Sequence, residues 1–137
     1  IEASVKFSFK LIIGCPNKYY PNKNLLIWVK KNKGKIKIFN DCKKAARLSD
    51  VIFTDKVVSM NDKTNKFKKL TDFKKFQVTS KIMNCAKKNA IFLHCLPRGS
   101  EVTNDVFFGS QSRVFQQALN RIYVQKSILL YCFGKLR

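Results

Sequence analysis

Apolar residues in this chain fall into short runs separated by polar stretches. The runs at 11–13, 36–39, 51–53, 91–93 and 114–115 each have the length and the β-branched or aromatic content of a buried strand. Helix-like spacing fills most of the gaps. Pro21 followed by Leu25, Leu26 and Val29 predicts a helix with one apolar face, and Gly34 stands where that helix would stop. Thr79 is placed to cap a second helix whose inward positions are Ile82, Met83 and Ala86. A last helix from about Gln117 carries Ala118, Ile122, Leu129 and Phe133 on one stripe. Strands alternating with helices predict an α/β fold built on an open parallel sheet with helices on both faces. Residues 56–76 break the pattern with polar sequence far longer than the usual connection of about 4–6 residues, which predicts a loop that moves or binds. Ala3, Ser4, Val5 and Phe7 read as the tail of a helix already under way, so the expectation is that something precedes Ile1.

Composition changes this picture little. A chain of 137 residues, 45% hydrophobic and with 12 Phe, is enough for one folded domain spanning 1–137. The net charge of +20, from 28 basic and 8 acidic residues, suggests nucleic acid as a partner. Against that, Arg is confined to Arg47, Arg98, Arg113, Arg121 and Arg137, whereas readers of base edges and phosphates favour its bidentate fork. The lysines are dispersed, as at Lys30, Lys43, Lys68 and Lys87, and Lys, Asn, Ile and Phe all have A/T-rich codons, so a drifting A/T-rich genome would raise the charge without selection, the alternative being a steering role for it. Nucleic acid is the disfavoured reading. The 5 cysteines form no CxxC pair and no zinc-like spacing, which predicts no metal and a reducing compartment. No apolar run approaches the roughly 20 residues that span a bilayer, and the chain is expected to be soluble and cytoplasmic, without a membrane partner.

In open α/β sheets ligands gather beyond the carboxyl ends of strands, and two of the runs end in reactive side chains. The 91–93 run leads into His94, the only histidine, and Cys95, Leu96 and Pro97. An imidazole N–H there can polarise a carbonyl oxygen, while a thiol and a backbone carbonyl can hold an amino group; equally, His94 can cap the strand and Cys95 can simply fill space. The 51–53 run ends in Thr54 and Asp55, then Ser59 and Met60. A carboxylate at that position can bind an ammonium group or take up a proton, or merely bond to nearby backbone. Arg121, on the final helix, offers a guanidinium fork for an oxygen atom, or is a solvated surface residue.

Several separated segments share one resemblance. Phe92-Leu93-His94-Cys95-Leu96-Pro97, Glu101-Val102-Thr103, Asp105-Val106-Phe107, Ser112, Val114-Phe115, Asn120-Arg121 and Gln125-Lys126 resemble the C-terminal half of the ornithine carbamoyltransferases. Pro16, Tyr19, Pro21, the stretch from Ser49 to Asp55, Val58-Ser59-Met60 and Phe76-Gln77-Val78 resemble the same family in the same order. The likeness implies a Rossmann-like second domain of a carbamoyltransferase that binds ornithine, with carbamoyl phosphate held by a first domain, absent here, through a Ser-Thr-Arg-Thr-Arg motif. It implies transfer of the carbamoyl group to the ornithine side-chain amine, giving citrulline and phosphate, with no cofactor. Asp55, Ser59 and Met60 would hold the amino-acid end in a closing loop; His94, the Leu96 carbonyl and Arg121 would orient the carbamoyl group; Cys95 would stand where the amine attacks. Members are typically homotrimers. A relative acting on another amine, such as putrescine, shares much of the His-Cys-Leu-Pro region, and Cys95 disfavours the aspartate enzyme. The chain departs from the family pattern at Asn61 in place of Gly, Val57 in place of Trp and Leu119 in place of Glu.

Overall fold

A computed structural model describes residues 1–58 and 66–135. After a short helix α1 (Glu2–Lys6), strands β1 (Leu11–Gly14), β2 (Ile36–Phe39), β3 (Val51–Thr54) and β4 (Ile91–His94) alternate with helices α2 (Lys23–Lys31), α3 (Cys42–Ala46), α4 (Lys66–Phe73) and α5 (Ser80–Met83). Helices α6 (Asn104–Phe107) and α7 (Val114–Cys132) complete the chain. The strands pair in parallel, β1 with β2 and β3 with β4, as the alternation predicts.

Local chemistry sets the boundaries. Asn22 caps α2 by accepting the Asn24 N–H at 2.8 Å, and Gly34 closes its end by donating its N–H to the Val29 carbonyl at 2.9 Å. Asp41 caps α3, its carboxylate accepting the Lys44 N–H at 2.9 Å. Thr79 does precede α5, but no side-chain capping bond forms, and Ile82 and Met83 are buried as expected. Helix α3 packs on β1, β2 and α5, and α7 packs on β4.

The core lies around β3 and β4. Ile52, Phe92, Val78, Ile82, Met83, Val102, Val106, Phe107 and Val114 form one cluster, with Phe92 at 0% exposure at its centre. Because neighbouring strand residues point to opposite sides, the burial of Ile52 leaves Val51 and Phe53 on an exposed face.

Three expectations are corrected. The 114–115 run is not a strand: Val114 opens α7, which therefore begins before Gln117. The segment that runs beside β4 is instead 111–113, where the Gln111 carbonyl accepts the Phe92 N–H and the Phe92 carbonyl accepts the Arg113 N–H, both at 2.9 Å. Val114 is apolar because it is buried at a helix start, a need that a two-residue run cannot distinguish from a strand. The 56–76 stretch is not all loop, since α4 and a 3-10 turn at Lys74–Phe76 occupy its second half. Finally, the stripe of Ala118, Ile122, Leu129 and Phe133 on α7 is not covered: all four are exposed in this chain.

Candidate active site at the ends of two parallel strands

The register between β3 and β4 places Thr54 opposite His94. The next residue on each strand is Asp55 and Cys95, so the two leave the sheet side by side. The Cys95 thiol donates to Asp55 Oδ1 at 2.9 Å, and the same oxygen accepts the Lys56 N–H at 2.7 Å. These contacts move both groups in opposite directions. The thiol bond holds the Asp55 carboxyl below its ordinary range, helped by the Lys56 N–H and the nearby His94. Burial pushes the Cys95 thiol up, and the negative charges of Asp55 and Glu101 push it further. Near neutral pH the pair is thus a carboxylate accepting from a protonated thiol. It can orient an amine and accept its proton, but Cys95 is poorly placed to act as a nucleophilic thiolate.

His94 is held differently from the expectation. Its side chain has 0% exposure, with Phe92 and Phe107 flanking the ring. Nδ1 meets the Cys95 carbonyl. Nε2 meets Glu101 Oε1 at 2.8 Å. Both ring nitrogens are therefore engaged inside the protein, and neither is free to polarise a substrate carbonyl. The His94 main-chain N–H donates to the side-chain carbonyl of Gln117 on α7 at 3.0 Å.

Arg121 lies one helical turn beyond Gln117 on the same face of α7. It is exposed and makes no side-chain bond among the described residues, so the structure brings acid and thiol into contact while leaving the guanidinium apart from them. Leu96 is exposed just beyond Cys95. Ser59 and Met60, with Asn61, lie outside the described residues.

Three residues to which the sequence reading gave no role organise the loop after β4. Glu101 is buried, and its carboxylate accepts the Gly99 N–H as well as meeting His94. Gln117 ties α7 to the strand end. Arg98 lies over the rings of Phe107 and Phe108, 4.9 and 5.6 Å from their centroids, and donates to the Val102 carbonyl and to Asn104. No local pattern marks these roles, because each depends on the loop folding back onto the strand it left.

Beside this cluster is a cleft of about 340 Å³, walled by Val57, Leu70, Phe73, Lys74, Gln77 and Glu101 among others. It starts two residues past Asp55 and is of a size to admit an amino acid. Tyr19 fastens its far wall, donating to Asp72 on α4 at 2.9 Å and packing on Phe73 with ring centroids 4.8 Å apart. Lys18 pairs with the same Asp72 oxygen. Among the described residues no three His, Cys, Asp or Glu side chains gather as a metal ion would require. No described helix is long and apolar enough to cross a membrane.

Parallel strands alternating with helices, with an acid and a thiol side by side at adjacent carboxyl ends, define a Rossmann-like α/β domain. The chain belongs to the aspartate/ornithine carbamoyltransferase family: the family model described as "Aspartate/ornithine carbamoyltransferase, Asp/Orn binding domain" matches residues 1–132. It is 44% identical to an ornithine carbamoyltransferase of Rhodopseudomonas palustris, over 97% of this chain and 43% of that protein. Among solved structures, the anabolic ornithine carbamoyltransferase of Campylobacter jejuni superposes with a TM-score of 0.86 at 32% identity, covering 96% of this chain and 46% of that one. The Pyrococcus furiosus ornithine carbamoyltransferase gives 0.84 at 32% identity over 98% and 45%. The chain spans less than half the length of the relatives it matches.

Proposed function

We propose that this domain supplies the amino-acid half of an ornithine carbamoyltransferase active site, working in the cytoplasm with a carbamoyl-phosphate-binding domain. The observation that carries the reading is the Cys95–Asp55 hydrogen bond at the carboxyl ends of β3 and β4. In the reaction the neutral side-chain amine of ornithine attacks the carbamoyl carbon. A C–N bond forms, the C–O bond to phosphate breaks, and the amine loses a proton, leaving citrulline and phosphate. Carbamoyl phosphate is already activated as a mixed anhydride, so the work left to the protein is orientation, proton removal and exclusion of water.

Asp55, ionised by its surroundings, holds the ammonium end or receives the proton. Cys95 lies where the attacking amine passes, and the Leu96 carbonyl and Arg121 orient the carbamoyl group once the second domain brings it. His94 contributes by fixing the Cys95 carbonyl rather than by touching substrate. Ser59 and Met60, by family likeness, complete the grip on the amino acid. The exposed apolar residues of α7, among them Ile122, Leu129 and Phe133, support contact with that second domain or with neighbouring subunits of a trimer. The 5 free cysteines, Cys15, Cys42, Cys85, Cys95 and Cys132, support a reducing compartment.

The test is to join the chain to the carbamoyl-phosphate domain of a relative and measure citrulline. Activity is expected with ornithine, and Asp55→Ala and Cys95→Ala should each reduce it by on the order of a hundredfold or more; full activity in either variant would remove that residue from the mechanism. Putrescine as a competing acceptor decides which amine is preferred. The charge of +20 keeps nucleic acid as a second reading, and a gel shift at moderate salt with no retained complex would end it.

A further inference from the structure

We propose that Glu101 is a positioning residue for this site, setting the geometry of Cys95 and Leu96 through His94. The loop that leaves β4 returns over its own strand. At the return, Glu101 is buried, its main-chain carbonyl accepting the Val78 N–H at 2.9 Å and so locking it to the core. From that fixed base its carboxylate reaches His94 Nε2 at 2.8 Å, and the same oxygen accepts the Gly99 N–H. Gly99 closes directly over the acid: a Cβ there would stand 2.7 Å from Glu101 Oε2.

A bond at one imidazole nitrogen fixes what the other can do. With Nε2 held by Glu101 and the ring between Phe92 and Phe107, Nδ1 is aimed at the Cys95 carbonyl. The peptide unit is planar, so fastening that carbonyl also fixes the N–H and Cα of Leu96. The same peptide carries the Cys95 side chain, whose thiol meets Asp55 at 2.9 Å. A buried acid and imidazole add little net stability compared with apolar groups of equal size, so orientation is the distinctive effect of this pair. The geometry stands on its own; its consequence for carbamoyl transfer rests on the function proposed above, and a failure of citrulline formation would leave the following measurement intact.

The experiment is alkylation of Cys95 by iodoacetamide in the 137-residue chain at fixed pH, followed peptide by peptide, in the unmodified protein, Glu101→Gln and Glu101→Asp. Gln keeps the side-chain length and a hydrogen-bonding end but loses the charge. Asp keeps the charge but withdraws it by one carbon–carbon bond, about 1.5 Å. Positioning predicts that Glu101→Asp raises the Cys95 rate by about fivefold or more, while Glu101→Gln, which removes only the smallest of the influences holding the thiol up, stays within about twofold. The reverse order would show that Glu101 acts through charge alone, and equal rates in all three proteins would show that it does not act on Cys95; either overturns the proposal. Buried Cys15 gauges the fold. Should Cys15 also become reactive in Glu101→Asp, the decision passes to Glu101→Gln: a Cys95 rate unchanged within about twofold, with Cys15 protected, upholds the proposal, and a larger rise overturns it.

Discussion

Thr54 and His94 face each other as the last partners of the parallel ladder between β3 and β4. That single pairing makes Asp55 and Cys95 neighbours although they are 40 residues apart in sequence. A slip of one residue would put Asp55 opposite Leu96 or His94 and separate acid from thiol. The buried run Ile52, Phe92 and Val78 resists such a slip, since it would turn Ile52 out of the core.

The acid and thiol control each other's protonation, which alkylation can read. The Asp55 charge and hydrogen bond help hold the Cys95 thiol above its ordinary range, after burial itself. Replacing Asp55 by Asn removes that charge, so the thiolate fraction at pH 8 should rise. We expect Asp55→Asn to speed iodoacetamide modification of Cys95 by about three- to tenfold. A rate equal to or below that of the unmodified protein would mean that the carboxylate does not govern the thiol.

Phe92 anchors the strand that ends in the site. It is wholly buried and surrounded by the core cluster, so truncation leaves a cavity that β4 cannot collapse into without disturbing His94. Phe92→Ala should cost about 3–5 kcal/mol, measured as a shift of the urea midpoint at unchanged slope. A loss below about 1 kcal/mol would show that the centre of the core lies elsewhere.

How far the sequence discloses all this depends on what each residue is for. Four strands are legible because each is a short apolar run that pairs in a parallel ladder, with Ile52 and Phe92 carrying β3 and β4 into the core. Asp55 and Cys95 are legible as strand-end chemistry, and the register then brings them together. His94 is visible as a residue but not as a role, because its orientation comes from Glu101, a loop acid that nothing local marks as buried. Arg121 and the apolar positions of α7 point to surfaces that this chain leaves open, so their partners cannot be read from its own contacts. Val114 was misleading for a physical reason: strands and helix starts make the same demand on an apolar residue when both face one core.

Tyr19 latches the far wall of the cleft. Its hydroxyl donates to Asp72, and its ring packs on Phe73, joining the 3-10 turn Asn17–Tyr19 to α4. Tyr19→Phe keeps the ring and deletes the donor. Amide exchange in α4 should quicken severalfold, with little change in β3 or β4, because stability is local where few contacts hold an element. Uniform acceleration across the chain would instead make Tyr19 part of the global fold.

Acid should destabilise this protein more than its few acidic groups suggest. Asp41, Asp55, Asp72 and Asp105 are all held below the ordinary carboxylate range, first by the Lys44 N–H, the Cys95 thiol, Lys18 and the Ser80 hydroxyl respectively. A carboxylate depressed in the folded state takes up protons more readily in the unfolded one, so its contribution is present above the unfolded value of about 3.9 and is lost as pH falls through the lower folded value. Each protonation also adds to a net charge that is already +20, increasing self-repulsion. The melting temperature should therefore be nearly flat from about pH 7 to pH 5 and drop steeply below about pH 4.5. Sodium chloride should recover part of the loss by screening the repulsion. A melting temperature that rose on acidification, or fell further with salt, would mean that the positive charges are less crowded than their number implies and that the four carboxylates do not stabilise the fold.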